Sequence, residues 1–168
     1  MGLVKLLNHW GLTSDLVMGH SVGQYAAACV AGILSWKDGL RLIAERGRLI
    51  GSLPEGGGML AVFAPEDQVT ELIQPFPEIS LAALNGTHIV VSGPLDTLSK
   101  LEPTLTEQEI RSKRLQTSHA FHSALMEPML EAFRHVATSI QYSTPRLPLI
   151  SNVSGAIADG AIATPDYW

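Results

Sequence analysis

Leu3, Leu6, Leu7 and Trp10 fall three, four and seven positions apart. One face of residues 3–11 is therefore apolar, and the spacing predicts a short amphipathic helix ended by Gly11. Asp15-Leu16-Val17-Met18 is the short apolar run of an interior parallel strand. Residues 25–31 (Tyr-Ala-Ala-Ala-Cys-Val-Ala) are small and alanine-rich, which suits a buried helix. Gly32-Ile33-Leu34-Ser35 is a break, with Ser35 placed to cap the next helix. That helix is predicted from about Trp36 to Gly51, with Leu42, Ile43, Leu49 and Ile50 as its apolar side. Pro54-Glu55-Gly56-Gly57-Gly58 reads as a flexible joint.

The rhythm changes after the joint. Strands are predicted at Met59–Phe63, Ile79–Leu84, His88–Ser92 and Arg111–Gln116, and helices at Pro65–Ile73 and Leu95–Leu105. Pro65 suits a first helical turn, and the acids behind it suit a helix start. Asn85-Gly86 between two apolar runs signals a hairpin. The order βαββαβ is the split pattern of a ferredoxin-like module. The polar and aromatic loop 117–123 follows, then an amphipathic helix at Ala124–Ser139 with Pro128 near its start, then a strand at Leu147–Ser151. The tail 156–168 has no strong period.

The expected fold class is thus α/β. A hydrolase-like parallel sheet with helices occupies residues 1–57 and 118–168, and a ferredoxin-like βαββαβ subdomain is inserted at 58–117. The large layer has only two clear strands, whereas a parallel sheet covered on both faces needs more. The pattern therefore predicts the middle of a larger domain.

Composition narrows the class. The chain has 168 residues, 46% hydrophobic and 16% charged, with a net charge of -5, which describes a globular chain with a sizeable core. No basic stripe is visible, which argues against nucleic acid as a partner. The apolar runs fall short of a membrane span, and the first ten residues lack the features of a signal peptide. Cys29 is the single cysteine. It reads as a small core hydrophobe, and a reducing, cytoplasmic setting is the default.

The candidate chemistry centres on Gly19-His20-Ser21-Val22-Gly23, a Gly-x-Ser-x-Gly pattern between the predicted strand and helix. A serine there sits on a sharp turn, with its hydroxyl lifted clear of the sheet and the first helical N–H groups aimed beside it. Those are the needs of a nucleophile in acyl transfer. A serine needs a base, and the histidines are His9, His20, His88, His119, His122 and His135. His20 is a poor candidate because neighbours on a tight turn diverge. His88 and His135 read as surface or structural residues. His119 and His122 lie on the loop returning from the insert, where functional side chains concentrate. Their His-x-x-His spacing is also half a metal site, without a matching third ligand cluster.

Five motifs occur in order: the serine turn, Ala44-Glu45-Arg46-Gly47, Asn85-Gly86 with Val91-Ser92-Gly93, His119-Ala120-Phe121-His122-Ser123, and Ser151-Asn152-Val153-Ser154-Gly155. Together they resemble the acyltransferase domain of modular polyketide synthases and the malonyl-CoA:acyl-carrier-protein transacylases of fatty-acid synthesis. The resemblance implies that Ser21 attacks the thioester of an acyl-CoA and that His122 takes its proton. It implies that Arg46 grips the free carboxylate of malonyl with its guanidinium fork, and that the Val22 N–H supplies half of an oxyanion hole. It adds His20, Phe121 and Asn152 to the substrate contacts. No cofactor is implied. Malonyl-CoA is the donor, the phosphopantetheine arm of an acyl carrier protein is the acceptor, and other synthase domains are possible neighbours.

In this family His-Ala-Phe-His goes with malonyl units and Tyr-Ala-Ser-His with methylmalonyl, so Phe121 favours malonyl by filling the space an α-methyl branch needs. Gln24 stands where glutamate is commoner, a change from which little is expected. The family pattern also has a preceding strand with a Gly-Gln-Gly loop that gives the other oxyanion N–H, and a segment after the tyrosine-tryptophan pair; neither is in these residues. That sets up a competing expectation, an impaired piece with open strand edges acting as a structural or docking part of a synthase. A Gly-x-Ser-x-Gly esterase or thioesterase is a further alternative. It would lack the βαββαβ insert and would place an acid before the histidine.

Overall fold

The computed structural model describes residues 2–168. Along the chain run α1 (Gly2–His9), β1 (Val17–Met18), α2 (Gly23–Ala31), α3 (Trp36–Gly51), β2 (Gly57–Val62), α4 (Glu66–Ile73), β3 (Ser80–Leu84), β4 (Ile89–Pro94), α5 (Leu95–Glu107), β5 (Ser112–Arg114), α6 (Glu127–Thr138) and β6 (Leu149–Ile150). Short 3-10 turns cover Ala124–Met126, Gly160–Ala163 and Pro165–Tyr167. Two compact units result, Met1–Leu49 with Glu131–Trp168, and Ile50–Leu130. The inner unit thus reaches from the last turn of α3 to the first turn of α6, further out in both directions than the 58–117 segment drawn from the sequence.

In the first unit β1 and β6 pair in parallel, Val17 opposite Leu149 and Met18 opposite Ile150. Sequence pattern placed a buried interior strand at 16–18. Instead Leu16 and Met18 are exposed, because β1 has a single strand neighbour among the described residues. α2 is as expected an alanine-lined, largely buried helix, with Ala27, Ala28 and Ala31 in the core. It ends at Gly32, whose φ of +81° is the left-handed conformation of a helix stop. Ser35 caps α3: its hydroxyl accepts the Asp38 N–H at 3.1 Å and donates to the Asp38 carboxylate at 2.6 Å. Cys29 packs where α2 meets α3; a Cβ on Gly39 would lie 2.5 Å from its sulfur. Burial pushes the Cys29 thiol up from its ordinary value, as suits a core hydrophobe.

The second unit is a four-stranded antiparallel sheet in the order β3-β4-β2-β5. With α4 and α5 as its two helices this is the ferredoxin-like βαββαβ arrangement. The central strand β2 is buried along all six residues. Leu60, Val62, Val91, Leu98, Leu101 and Leu105 lead its core, which also holds Val69 and Ile73 of α4.

Two local readings change. Gly57 and Gly58 belong to β2, opposite Pro94 and Gly93, and are not part of a flexible joint. A Cβ on Gly57 would lie 2.7 Å from the Ala120 nitrogen, and one on Gly58 2.6 Å from Leu95 Cδ2. Those glycines serve close approach rather than freedom. The β3–β4 connection is the four residues Asn85–His88, not a two-residue turn. The Asn85 N–H donates to the His88 carbonyl at 3.1 Å, and Gly86 takes φ +73°. The His88 ring closes this loop through Asn85 Nδ2 at 3.0 Å and the Thr87 hydroxyl at 3.1 Å, which explains it as a structural histidine.

Candidate active site

The turn from β1 to α2 is built as the sequence demands. Ser21 has φ +50°, in the left-handed region that non-glycine residues seldom occupy. The Gly23 N–H donates to the His20 carbonyl at 2.9 Å and the Gln24 N–H to the Ser21 carbonyl at 2.9 Å, so the turn winds directly into α2. A side chain at Gly19 would collide with the carbonyl of Gly23. Only glycine lets the two arms of the turn approach this closely. His20 and Val22 are exposed, Ser21 half-buried. Among the described residues the Val22 N–H has no acceptor, so this donor is left beside the serine.

The strained backbone makes a stability prediction. A non-glycine residue held in a sparse region costs about 1–3 kcal/mol. Ser21→Gly is expected to be about 1 kcal/mol more stable than Ser21→Ala in urea unfolding, since both lose the hydroxyl and glycine alone relieves the strain. Equal stabilities would show that the turn is not strained.

Asn152 follows β6 and ties this turn to the sheet. Its side-chain Oδ1 accepts the Ser21 N–H at 2.6 Å, and its Nδ2 donates to the Gly19 carbonyl at 2.7 Å. The side chain read as a substrate contact therefore grips backbone on both sides of His20. The Asn152 N–H in turn donates to Gln24 Oε1 at 2.8 Å. Gln24 Nε2 donates to the Tyr167 hydroxyl at 2.5 Å, which lies 2.6 Å from the Ser151 hydroxyl. Gln24 and Ser151 are 6% and 4% exposed, so their ends of these bonds lie out of water, where an unmade bond is costly. Gln24, Ser151 and Tyr167 have no site role in the sequence reading. Tyr167 lies in a tail without period, and no local spacing links it to position 24.

Arg46 lies on α3, half-buried. Burial pushes the Tyr25 phenol of α2 up from its ordinary value, and the Arg46 charge pulls it part of the way back, which places the guanidinium near that helix. The three ion pairs among the described residues are Arg48–Glu45, Arg114–Glu102 and Arg134–Asp166. Arg46 takes part in none, so its charge is available to an anion. The Tyr25 ring also packs on that of Trp168, with centroids 5.1 Å apart.

In the second unit the loop before the Ala124–Met126 turn separates the two histidines. His119 is 8% exposed. Its Nε2 lies 3.4 Å from the Leu53 carbonyl and its Nδ1 3.0 Å from the Ser118 hydroxyl. The Phe121 ring meets it edge-on at 6.3 Å. His122 is exposed, with φ +59°, a second residue in the left-handed region. Ser123 fixes the loop: its hydroxyl donates to the Ala120 carbonyl at 2.7 Å and accepts the Leu125 N–H at 3.3 Å. One histidine is thus buried to hold the loop, and the other is presented by it.

The chain as a whole has counterparts among known proteins. The sequence profile of the family described as "Acyl transferase domain" matches residues 1–168. The polyketide synthase GfsA of Streptomyces halstedii is 41% identical, over 100% of this chain and 2% of its own length. The spectinabilin polyketide synthase system protein NorB of Streptomyces orinoci is 43% identical, over 100% of this chain and 8% of its own length. The acyltransferase domain from the second module of the salinomycin polyketide synthase superposes with a TM-score of 0.93 at 42% identity, covering 99% of this chain and 39% of that one. The malonyl CoA-acyl carrier protein transacylase of Clostridium perfringens gives a TM-score of 0.90 at 30% identity, covering 96% of this chain and 54% of that one. The chain therefore spans a small part of these synthases and about half or less of those two structures. With its whole length matched by one family and its fold shared with solved acyltransferase domains, the chain belongs to the acyl transferase domain family.

Proposed function

We propose that the chain moves a malonyl group from CoA to the phosphopantetheine thiol of an acyl carrier protein through an ester on Ser21. The observation that carries this reading is the serine turn itself: φ +50° at Ser21, its N–H held by Asn152, and the Val22 N–H left without an acceptor. The unpaired Arg46 supports an acyl group with a free carboxylate, since a planar guanidinium accepts such a group with two parallel bonds.

In the first half-reaction the Ser21 hydroxyl attacks the thioester carbonyl and His122 takes its proton. The carbon–sulfur bond breaks, the proton passes to the CoA sulfur, and malonyl is left as an ester. In the second, His122 takes the proton of the carrier thiol. The thiolate attacks the ester, and Ser21 leaves with the proton restored. The Val22 N–H faces the negative charge on the carbonyl oxygen in both. A thioester is already activated, so no resident cofactor is called for; acyl-CoA and the pantetheine arm are substrates. The neighbours implied are the carrier protein and other synthase domains, in the cytoplasm.

Phe121 sets the preference between malonyl and methylmalonyl in this reading. One methyl is worth about 1–3 kcal/mol in a shaped pocket. Phe121→Ser is expected to lower the ratio of malonyl to methylmalonyl loading by about tenfold or more. An unchanged ratio in a folded variant would remove Phe121 from the selectivity. The reading as a whole is tested by intact-protein mass spectrometry after brief incubation with malonyl-CoA, methylmalonyl-CoA or acetyl-CoA. A malonyl adduct is expected, and its absence from a folded sample would favour a structural or docking role.

A further inference from the structure

We propose that Tyr167 is a positioning residue whose phenol, acting through Gln24 and Asn152, holds the backbone of Ser21 in its left-handed turn. The consequence for catalysis rests on the reading of Ser21 as nucleophile; the holding itself does not. The side-chain amide of Asn152 meets Ser21 N–H and Gly19 carbonyl, at 2.6 and 2.7 Å, only while the Asn152 backbone stays in place. Gln24 Oε1 pins that backbone by accepting its N–H at 2.8 Å. With its oxygen so used, the Gln24 amide must turn its NH2 the other way, onto the Tyr167 oxygen at 2.5 Å. The phenol then has its own proton free for the Ser151 hydroxyl at 2.6 Å, which also accepts the Val153 N–H at 3.1 Å. Each bond has one donor and one acceptor, and donation runs one way, from the Ser21 N–H through Asn152, Gln24 and the Tyr167 phenol to Ser151.

This network gives position 24 a holding role that glutamine and glutamate can both fill. A carboxylate at position 24 still accepts the Asn152 N–H, and the phenol satisfies it by turning its proton round, with Ser151 then donating to the phenol. Gln24→Glu therefore keeps the network. Gln24→Leu cannot make either bond, and Tyr167→Phe leaves the Gln24 NH2 and the Ser151 hydroxyl buried without a common partner.

The test is amide hydrogen exchange by NMR on the 168-residue chain and these three variants. Ser21 is read against Ile33, whose N–H donates to the Ala28 carbonyl at 2.9 Å in the same unit. In Tyr167→Phe and Gln24→Leu, Ser21 exchange is expected to accelerate about tenfold more than that of Ile33, while Gln24→Glu stays near the parent. Ser21 unchanged, or Ser21 and Ile33 accelerated together, would overturn the proposal, the second by making Tyr167 merely structural. Malonyl loading is the companion readout: a fall in the maximal rate with the same KM for malonyl-CoA is expected of Tyr167→Phe. If the parent takes no malonyl but the exchange pattern holds, the functional reading fails and the positioning role stands. If loading occurs and Ser21 exchange is indifferent to Tyr167, the positioning role fails alone.

Discussion

Ser21→Ala is expected to carry no malonyl adduct after incubation with malonyl-CoA, where the parent chain gains one. The effect is all or none because, in the proposed mechanism, the acyl group is stored as an ester to that oxygen. Removing it leaves no second nucleophile at the turn. His20 and Val22 flank the position but do not store the group: an acyl-imidazole is hydrolytically labile, and Val22 offers only a backbone N–H. Cys29 cannot substitute either, since it packs between α2 and α3 with its thiol pushed up by burial. An adduct of the same mass on Ser21→Ala would mean that the serine is not the acceptor. Urea unfolding of the same variant guards against a trivial loss, because alanine keeps the strained turn and its Asn152 bond.

Arg46→Ala is expected to lower malonyl loading by about a hundredfold while leaving acetyl loading within a fewfold of the parent. The argument is a difference between donors. Malonyl carries a free carboxylate that must leave water to reach the serine, and in the proposed function a charge-assisted bidentate pair with Arg46 offsets that cost. Truncating one partner of such a pair costs about 2–5 kcal/mol, of which the carboxylate left unpaired is the larger part. Acetyl has no carboxylate and loses nothing. The structural basis is that Arg46 joins none of the three ion pairs among the described residues while its charge is felt at Tyr25 on the adjoining helix. A parallel fall for both donors would recast Arg46 as a packing residue of α3. Arg46→Lys separates charge from shape: a point charge recovers part of the loss and the fork the rest.

Much of the architecture was legible because it is local. The three-and-four spacing of apolar residues predicts α3 with its observed ends, and Ser35 caps it as read. The four inner strands and two helices fall where alternation and proline placed them, and their βαββαβ order carries over to the observed strand order. Glycine was the weak point. Gly57 and Gly58 look like a hinge by composition, yet they lie in the most buried strand, because what demands glycine there is a neighbour distant in sequence, Ala120 or Leu95. Strand burial was misread at Leu16–Met18 for a related reason: an apolar run announces a strand but not how many neighbours it will have.

The serine turn was legible from Gly19 and Gly23, since their spacing states a backbone need. The residues that hold it were not. Asn152 came into view through a motif, as a substrate contact, and nothing in that motif announces that its amide also holds the Ser21 N–H and the Gly19 carbonyl. Tyr167 lies 143 positions from the Gln24 amide it receives. A hydrogen bond between a helix start and a tail 3-10 turn leaves no periodicity, so only the folded chain reveals it. The two histidines of the return loop show the same limit. Their spacing is symmetric in the sequence, but one is buried against the Leu53 carbonyl and the other is exposed at φ +59°.

The most direct test of acyl transfer as the activity is the fate of the malonyl group once it is on Ser21. The chain is loaded with radiolabelled malonyl-CoA, freed of excess donor, and mixed with pantetheine or with buffer alone. Transfer predicts that label appears as malonyl-pantetheine, faster than free malonate forms in buffer. Release as malonate at the same rate in both would contradict the account and mark the serine turn as that of a hydrolase.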